Sequence, residues 1–441
     1  MGSRFGTDGI RGAVGAEITV ELALALGRAV GYRFGEAGES VLLGRDTRRS
    51  GEMLTAALTA GITAAGADVI DLGVVTTPCL VHASSQAAGP AVMVSASHNP
   101  SPDNGLKVVV GGRKVDDGVE QDLERLLDDA SEIPALPNAA LGRTRPDRGS
   151  IAAYERHLVE IAGDAFRGLR LGIDCANGSA SVIAPDLFRS LGAEVTVLFA
   201  APDGTNINEG CGSTHPERLA ETVLAAGLDI GLAFDGDADR LIAVDGRGQL
   251  VDGDSVMGIC ALARLADGTL RNNLLVVTVM TNGGLERVVR QQGGRVVRTA
   301  VGDRHVLAAM ERDDAVLGGE QSGHIIFRDR ATTGDGLLTG IELVRAMRAA
   351  AQPLSKLADR IPRLPQVVIN SDASRRDDWQ DDPDFSAAVA RATVVIGDRG
   401  RILVRPSGTE PKIRIMVEGD DAEEIERIAG ELATLAEARL N

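Results

Sequence analysis

The chain has 441 residues, of which 44% are hydrophobic, 25% charged and 2% aromatic, and its net charge is −17. At roughly 100–200 residues per domain, this length predicts two to four domains with a substantial apolar core. The acidic balance excludes a general nucleic-acid or anionic-membrane surface, which needs basic patches, so we expect neither as a partner. The cysteines Cys79, Cys175, Cys211 and Cys260 form no C-x-x-C pair, and the N-terminus lacks a signal-peptide core. A reducing, cytoplasmic location is therefore expected.

Short apolar runs alternate with helical patterns along the whole chain. Buried strands are predicted at 41–46, 69–73 and 91–97, with a helix over 52–66. The same rhythm predicts strand-containing segments at 169–178, 194–199, 229–240, 274–280, 295–301 and 315–324. A polar connector over 130–150, a strand hairpin over 393–418 and a terminal helix over 422–440 complete the pattern.

This rhythm predicts an α/β protein. Three doubly wound α/β domains with mostly parallel sheets are expected at 1–150, 151–252 and 253–364, and a smaller α+β domain at 365–441. Ligands of such sheets bind beyond the carboxyl ends of the strands, so the polar loops that follow the predicted strands are the places where chemistry is expected.

The first polar loop is SASHNP (95–100), at the end of the strand predicted at 91–97. Pro100 disfavours helix at Asn99, which places Ser97 in a tight loop. A serine in this position can act as a nucleophile or as a phosphoryl carrier. The alternative is an ordinary turn rich in Ser, Asn and Pro.

The second loop is DGDADR (235–240), in which Asp235, Asp237 and Asp239 alternate. Alternate side chains of an extended segment point the same way, and three converging carboxylates favour a hard cation such as Mg²⁺ or Ca²⁺. An EF-hand loop is rejected because its sixth and twelfth positions would be Arg240 and Gly246 rather than Gly and Glu. Arg240 is placed to contact a phosphoryl oxygen. The D-x-D-x-[TV] pattern of haloacid-dehalogenase phosphatases matches only in part, because Asp239 stands where Thr or Val is expected.

Two further loops complete the set of motifs. GGEQSGH (318–324) brings Glu320, Ser322 and His324 onto a Gly-rich turn, whose acidic and hydroxyl side chains suit sugar hydroxyls. In RPSGTEPKIR (405–414), hydroxyls and exposed backbone N–H groups lie beside arginines, a combination that suits an anion. Taken singly, each motif could be a bend or a connecting turn. Together they indicate phosphoryl transfer on a phosphorylated polyol.

These motifs and FGTDGIRG (5–12), in this order, resemble the α-D-phosphohexomutase superfamily over essentially the whole chain. The resemblance implies four domains around a central cleft, a phosphoryl group carried by Ser97, and one Mg²⁺ bound by Ser97 with the three aspartates. It implies that Arg11, His98, Lys107 and Arg240 act beside the serine. The expected substrate-binding residues are Arg304, His305, Glu320, Ser322, Arg405, Ser407, Gly408, Thr409 and Arg414.

Gln321 and the segment VGDRHV (301–306) resemble the branch of the superfamily that acts on glucosamine phosphates. The expected reaction interconverts glucosamine 6-phosphate and glucosamine 1-phosphate through a hexose 1,6-bisphosphate, which also serves as primer. The alternatives are a phosphomannomutase/phosphoglucomutase activity and a Mg²⁺-dependent sugar phosphatase. The resemblance leaves a homodimer and an activating kinase open as partners, and it suggests a role in making cell-wall amino-sugar precursors.

Overall fold

The computed structural model describes residues 4–6, 8–35, 40–407 and 411–441, which divide into two compact units. Unit 1 comprises Met1–Thr278 and Gly294–Asp359, and unit 2 comprises Val279–Gly293 and Arg360–Asn441. Among the helices that the structure describes, none is both long enough and apolar enough to cross a membrane.

The first sheet of unit 1 has seven strands: β1 (Ile10–Ala13), β2 (Val41–Arg45), β3 (Val69–Val74), β4 (Pro90–Val94), β5 (Asp103–Val110), β6 (Arg113–Lys114) and β7 (Thr144–Pro146). The order is β1-β5-β4-β2-β3-β7, with β6 beside β5. The β4, β2, β3 and β7 strands run parallel, whereas β5 pairs antiparallel with β1, β4 and β6. The helices that follow these strands are α1 (Val20–Gly35), α2 (Ser50–Ala64), α3 (Thr77–Ala87) and α4 (Asp117–Asp128).

Close packing of α1 on α2 depends on glycine. A Cβ on Gly27 would lie 2.4 Å from the carbonyl oxygen of Leu58, and one on Gly61 would lie 2.3 Å from that of Leu24. The two helix backbones therefore approach each other directly. Leu26, Leu54 and Leu58 fill the core beneath them.

The second sheet of unit 1 has the order β12-β11-β10-β8-β9. Its strands are β8 (Arg170–Asp174), β9 (Glu194–Leu198), β10 (Ile230–Phe234), β11 (Leu241–Asp245) and β12 (Leu250–Val251), and its helices are α5 (Ser150–Ala162), α6 (Ala184–Ser190) and α7 (Glu217–Ala226). The β10 strand is parallel to β8 and antiparallel to β11. Every residue of β10 and β11 is buried, so the loop between them is held at both ends by core strands.

The third sheet of unit 1 has the order β14-β13-β15-β16. Its strands are β13 (Leu274–Thr278), β14 (Arg295–Thr299), β15 (Leu317–Gly319) and β16 (Ile325–Phe327). The helices of this part of the chain are α8 (Gly253–Ala266), α9 (Gly283–Gln291), α10 (Asp303–Arg312), α11 (Gly336–Ala350) and α12 (Leu354–Ala358), of which α9 belongs to unit 2.

Unit 2 contains a three-stranded antiparallel sheet with β19 (Lys412–Gly419) between β17 (Gln366–Asp372) and β18 (Gly400–Pro406). Two longer helices, α13 (Pro383–Ile396) and α14 (Ala422–Leu440), pack on it. Phe385, Ile415, Ile428 and Leu432 belong to the buried core of this unit.

Two expectations from the sequence need correction. The connector at 130–150 contains β7, which pairs parallel with β3. The hairpin predicted over 393–418 begins only at Gly400, because the apolar run 393–396 continues α13 and leaves Val394 81% exposed. The prediction of mostly parallel sheets holds in unit 1: each sheet has one antiparallel strand, β5, β11 or β16, and its other strands share one direction.

Candidate active site

The Ser97 loop connects β4 to β5. The β4 strand ends at Val94, three residues before Ser97, and the turn that leads back to β5 begins at Ser97 itself. Ser97 is fully buried and has φ = +52°, a left-handed conformation that is uncommon for a residue with a Cβ. Its backbone N–H donates to Oγ of Ser95 at 3.0 Å, and its own hydroxyl donates to Oδ2 of Asp235 at 2.5 Å. The loop thus directs the Ser97 side chain at the acidic loop of the second sheet.

The acidic loop follows β10, where sequence reasoning placed it. Asp235, Asp237 and Asp239 are all buried, and each offers a carboxylate oxygen within 4.8 Å of the other two. Oδ1 of Asp237 and Oδ1 of Asp239 are buried without a hydrogen-bond partner. Buried polar atoms are normally satisfied, so these two oxygens indicate that a ligand binds between the carboxylates.

The electrostatics of the three aspartates also indicate a cation. Burial and the charges of Asp239 and Asp237 raise the pKa of Asp235 well above its usual range. Burial also disfavours ionisation of Asp237, but Lys107 and Thr77 outweigh it and lower the pKa of this carboxyl. A divalent cation would remove the mutual repulsion of the three carboxylates. The all-oxygen donor set with two free oxygens fits Mg²⁺.

Basic side chains surround the acidic cluster. Nζ of Lys107 lies 2.7 Å from Oδ2 of Asp237 and 3.1 Å from Oδ2 of Asp8. Asp8 also pairs with Arg11, which brings that predicted residue to the same network. Arg240 donates its backbone N–H to Asp235, and its Nε is buried without a hydrogen-bond partner, although it forms an ion pair with Oδ1 of Asp239 at 3.9 Å.

His98 lies beside the serine, with Nδ1 3.3 Å from Ser97 Oγ. Burial and the neighbouring Arg240 and Arg11 lower the pKa of His98 to about 4. The imidazole is therefore neutral near pH 7.

The loop predicted to bind the sugar, 318–324, joins β15 to β16. Oε1 of Glu320 accepts the N–H of Gly302 at 2.8 Å, and Ser322 donates to its Oε2 at 3.4 Å. The other two residues predicted nearby behave differently. Arg304 is held in ion pairs with Asp117 and Glu120 of α4, and His305 is exposed.

The predicted phosphate-binding residues lie in unit 2. Arg405 of β18 is the cross-strand partner of Arg414 of β19, and both line a pocket of about 270 Å³. Two arginines opposite each other repel unless an anion lies between them, and Nε of Arg414 is buried without a partner. Ser407 is buried. Gly408 and Thr409 lie outside the described residues.

Several residues of the site were missed from sequence, and His324 was named only as part of the GGEQSGH motif. Thr77 donates to Oδ2 of Asp237 at 2.6 Å, and Nδ1 of His324 lies 3.6 Å from Oδ2 of Asp239. Asp303 pairs with Lys114, which in turn pairs with Asp8. Asp8, His324 and Asp303 stand inside motifs that were recognised, which is the signal that could have found them. Thr77 follows β3 at the same sheet edge, but nothing in its sequence context distinguishes it from a helix-start threonine.

A serine hydroxyl beside a cluster of buried carboxylates that fits a cation, with arginine and lysine around it, indicates an enzyme of phosphoryl transfer built on an α/β fold. Comparison with known families identifies which one. Four domain models of the phosphoglucomutase/phosphomannomutase family match this chain. The model of alpha/beta/alpha domain I matches residues 2–133, that of domain II matches 152–248, that of domain III matches 252–364, and that of the C-terminal domain matches 368–435.

Relatives match over the full length. The chain is 50% identical to a phosphoglucosamine mutase of Symbiobacterium thermophilum, covering 100% of both chains. It is 48% identical to a phosphoglucosamine mutase of Moorella thermoacetica, covering 99% of each. A crystal structure of a phosphoglucomutase/phosphomannomutase family protein from Burkholderia thailandensis superposes with a TM-score of 0.84 at 30% identity, covering 100% of this chain and 99% of the other. The chain belongs to the phosphoglucomutase/phosphomannomutase family of enzymes, within the phosphohexomutase superfamily, and the predicted fold class is confirmed.

Proposed function

We propose that the chain acts as a phosphoglucosamine mutase, which interconverts glucosamine 6-phosphate and glucosamine 1-phosphate with Ser97 as the phosphoryl carrier. One observation carries the assignment of the carrier. The Ser97 hydroxyl lies 2.5 Å from Oδ2 of Asp235, within a cluster of buried carboxylates that has two unpartnered oxygens. The full-length relatives named phosphoglucosamine mutase support the choice of sugar.

Ser97, Asp235, Asp237 and Asp239 would hold Mg²⁺, which supplies electrostatic stabilisation of the charge on the transferring phosphoryl group. Phosphoryl transfer depends mainly on positioning and electrostatics, so the surrounding cations matter as much as any base. Arg240, Lys107 and Arg11 provide positive charge around the serine.

In the first half-reaction, the Oγ–P bond of phosphorylated Ser97 breaks and a bond forms between phosphorus and the 1-hydroxyl oxygen of glucosamine 6-phosphate. The hydroxyl proton passes to the neutral imidazole of His98. The product is a 1,6-bisphosphate. The 1,6-bisphosphate then turns end for end, so that its 6-phosphate faces Ser97. In the second half-reaction a bond forms between the deprotonated Ser97 oxygen and the 6-phosphorus, and the bond between that phosphorus and the 6-oxygen breaks. His98 gives its proton to the 6-oxygen, and glucosamine 1-phosphate leaves.

Glu320 and Ser322 are proposed to bind sugar hydroxyls, and Arg304 and His305 to lie near the sugar once the ion pairs of Arg304 rearrange. In unit 2, Arg405, Ser407 and Arg414, together with Gly408 and Thr409, are proposed to bind phosphate. The free Nε of Arg414 and the pocket beside it support the phosphate assignment.

The domain limits predicted from sequence are retained as a proposal, and each range holds one of the four sheets. We place the reaction in the cytoplasm, since the four buried cysteines are all free. A hexose 1,6-bisphosphate or an activating kinase would supply the first phosphoryl group to Ser97. A homodimer remains a prediction from the family resemblance.

The test is ³¹P NMR of the protein with Mg²⁺, glucosamine 6-phosphate and a trace of glucose 1,6-bisphosphate, with glucose 6-phosphate and mannose 6-phosphate in parallel. We expect glucosamine 1-phosphate to appear much faster than either neutral sugar reacts. Ser97→Ala should abolish turnover, while Ser101→Ala, in the same loop, should retain it.

Other outcomes would contradict parts of the proposal. Faster turnover of glucose or mannose 6-phosphate would keep the carrier and refute the choice of sugar. Release of inorganic phosphate alone would indicate a phosphatase. Full activity of Ser97→Ala would refute the carrier.

A further inference from the structure

A buried arginine outside the catalytic cluster holds the backbone of the Ser97 loop. Arg48 lies between β2 and α2 and is 2% exposed. It donates to four carbonyl oxygens of one stretch of chain: those of Ser97 at 3.0 Å, Asn99 at 2.8 Å, Pro100 at 2.5 Å and Asp103 at 3.0 Å. Such a concentration of contacts fixes the course of the loop from the serine to the start of β5.

Arg48 has no donor left for a ligand. Nη1 bonds Pro100 and Asp103, Nη2 bonds Ser97 and Asn99, and Nε bonds Oδ2 of Asp46 at 2.9 Å. These are the five N–H groups that a guanidinium carries. Arg48 therefore acts on the loop and not on a substrate phosphate, in contrast to Arg240, whose Nε makes no hydrogen bond.

The partner of Arg48 holds the other side of the serine. Asp46 accepts the hydroxyl of Ser95 at 2.7 Å, and that hydroxyl accepts the backbone N–H of Ser97 at 3.0 Å. The N–H of Ser97 is thereby fixed through Ser95 and Asp46, and its C=O is fixed by Arg48. The Asp46–Arg48 pair thus holds both polar groups of the serine backbone.

A second donor reaches the same carbonyls from the second sheet. Nδ2 of Asn208, in the segment between β9 and α7, donates to the carbonyl oxygens of Ser97 at 2.9 Å and Asn99 at 3.0 Å. A Cβ on Gly236 would lie 2.6 Å from the carbonyl oxygen of Ser97. The serine loop and the acidic loop therefore touch through their backbones, and Asn208 joins them.

The contacts of Arg48 and Asn208 with the Ser97 loop have a physical reason. A serine at φ = +52° has a strained backbone conformation, so the loop would relax and move Oγ unless other contacts hold it. A displacement of about 1 Å from reacting geometry can lower a rate about 100-fold. We propose that Arg48, assisted by Asn208, is a positioning residue that keeps the Ser97 hydroxyl directed at the aspartate cluster for phosphoryl transfer. The inference rests on the proposed function.

The test compares Arg48→Lys with the wild-type chain, using glucosamine 6-phosphate, Mg²⁺ and glucose 1,6-bisphosphate. Lysine keeps the charge opposite Asp46 but has three donors instead of five. We expect kcat to fall about 100-fold with KM within about threefold of wild type, because the sugar-binding side chains are untouched. The matched control is Arg264→Lys: Arg264 is also buried and ion-paired, with Asp329 and Glu342, but has no contact with the serine loop. It should lower the melting temperature and leave kcat within about threefold.

Equal kcat losses in Arg48→Lys and Arg264→Lys, or an unchanged kcat in Arg48→Lys, would overturn the positioning role and reduce Arg48 to a structural residue. If Arg48→Lys does not fold, Asn208→Ala decides, with an expected kcat loss of about tenfold at unchanged KM. An unchanged kcat in that variant overturns the proposal. Failure of the proposed function is distinguishable from failure of the positioning role, because the wild-type chain itself would then not convert glucosamine 6-phosphate. The variants would in that case be compared on the hexose phosphate that the wild-type chain does convert.

Discussion

Asp335 is a buried carboxyl whose charge should make stability depend on pH. It caps α11: Oδ1 accepts the N–H of Leu338 at 2.9 Å, and Oδ2 accepts the hydroxyl of Tyr154 at 2.8 Å. The residue is 1% exposed, and no salt bridge to a cation forms at its carboxylate in the part of the chain that the structure describes. Burial raises the pKa of Asp335 from the usual 3.8 to about 6, and the two hydrogen bonds offset only part of that rise.

The size and sign of the effect follow from this shift. One pKa unit corresponds to about 1.36 kcal/mol, so a shift of about two units contributes about 3 kcal/mol. The folded state holds the proton more tightly than the unfolded state. The contribution to the free energy of unfolding is therefore fully present below about pH 4 and is lost as the pH rises through about 6.

The assay measures unfolding of the wild-type chain and of Asp335→Asn at pH 4, 5.5 and 7. Asparagine cannot titrate, but it still caps the helix with its carbonyl oxygen and donates to the Tyr154 oxygen. The stability of wild type minus that of the variant should fall by about 2.5 kcal/mol between pH 4 and 7. Asp116→Asn, at the exposed cap of α4, serves as the control for an aspartate cap in solvent. A difference for Asp335→Asn that stays constant across this range would refute the reasoning.

Three further predictions concern the cluster of Asp235, Asp237 and Asp239. Lys107→Met removes the ammonium that contacts Asp237 and Asp8, and it should destabilise the magnesium-free protein by about 3–5 kcal/mol. Calorimetry with chelator present measures this loss, and an unchanged melting temperature would contradict it. Chelation should abolish turnover reversibly, and retained activity in chelator would exclude a required cation. Mg²⁺ at about 100 times its dissociation constant should stabilise the protein by about 2.7 kcal/mol. Ala238, in the acidic loop, has φ = +58°. Ala238→Gly should raise the free energy of unfolding by about 1 kcal/mol, because the backbone strain relieved exceeds the entropy that glycine loses on folding. A lower melting temperature of the variant would contradict this.

The fold was predictable wherever the hydrophobic pattern reported directly on burial. The β2 and β3 strands and the helix α14 fall where the pattern placed them, because each buries a strongly apolar face. The strand predicted to begin at residue 393 was wrong, because the apolar residues at 394–396 do not mark a buried strand. The valines there are β-branched, yet they lie at the end of helix α13 and are exposed. The three residues of β7 are all exposed, so no apolar pattern marks them.

The acidic cluster was predictable because its carboxylates lie on one short segment, where alternation alone brings them together. The groups that orient them come from separate parts of the sequence. Thr77 is 160 positions away from Asp237, and Lys107 is 130 positions away. No spacing rule connects such residues, and only the pairing of β4 with β5 and the contact between the first two sheets brings them to the same carboxylate.

The polar atoms left unpartnered distinguish the reactive groups from those that support them. Asn208 donates to backbone carbonyls, and Arg48 donates to backbone carbonyls and to Asp46. These side chains can therefore fix a loop but have no donor left for a substrate. By contrast, oxygens of Asp237 and Asp239 and the Nε of Arg240 are buried with nothing to bond. Leaving such atoms unsatisfied costs about 1–3 kcal/mol each, more when they are charged. A fold retains that cost where a ligand relieves it, and these atoms therefore mark where the cation and the phosphoryl group are expected to bind.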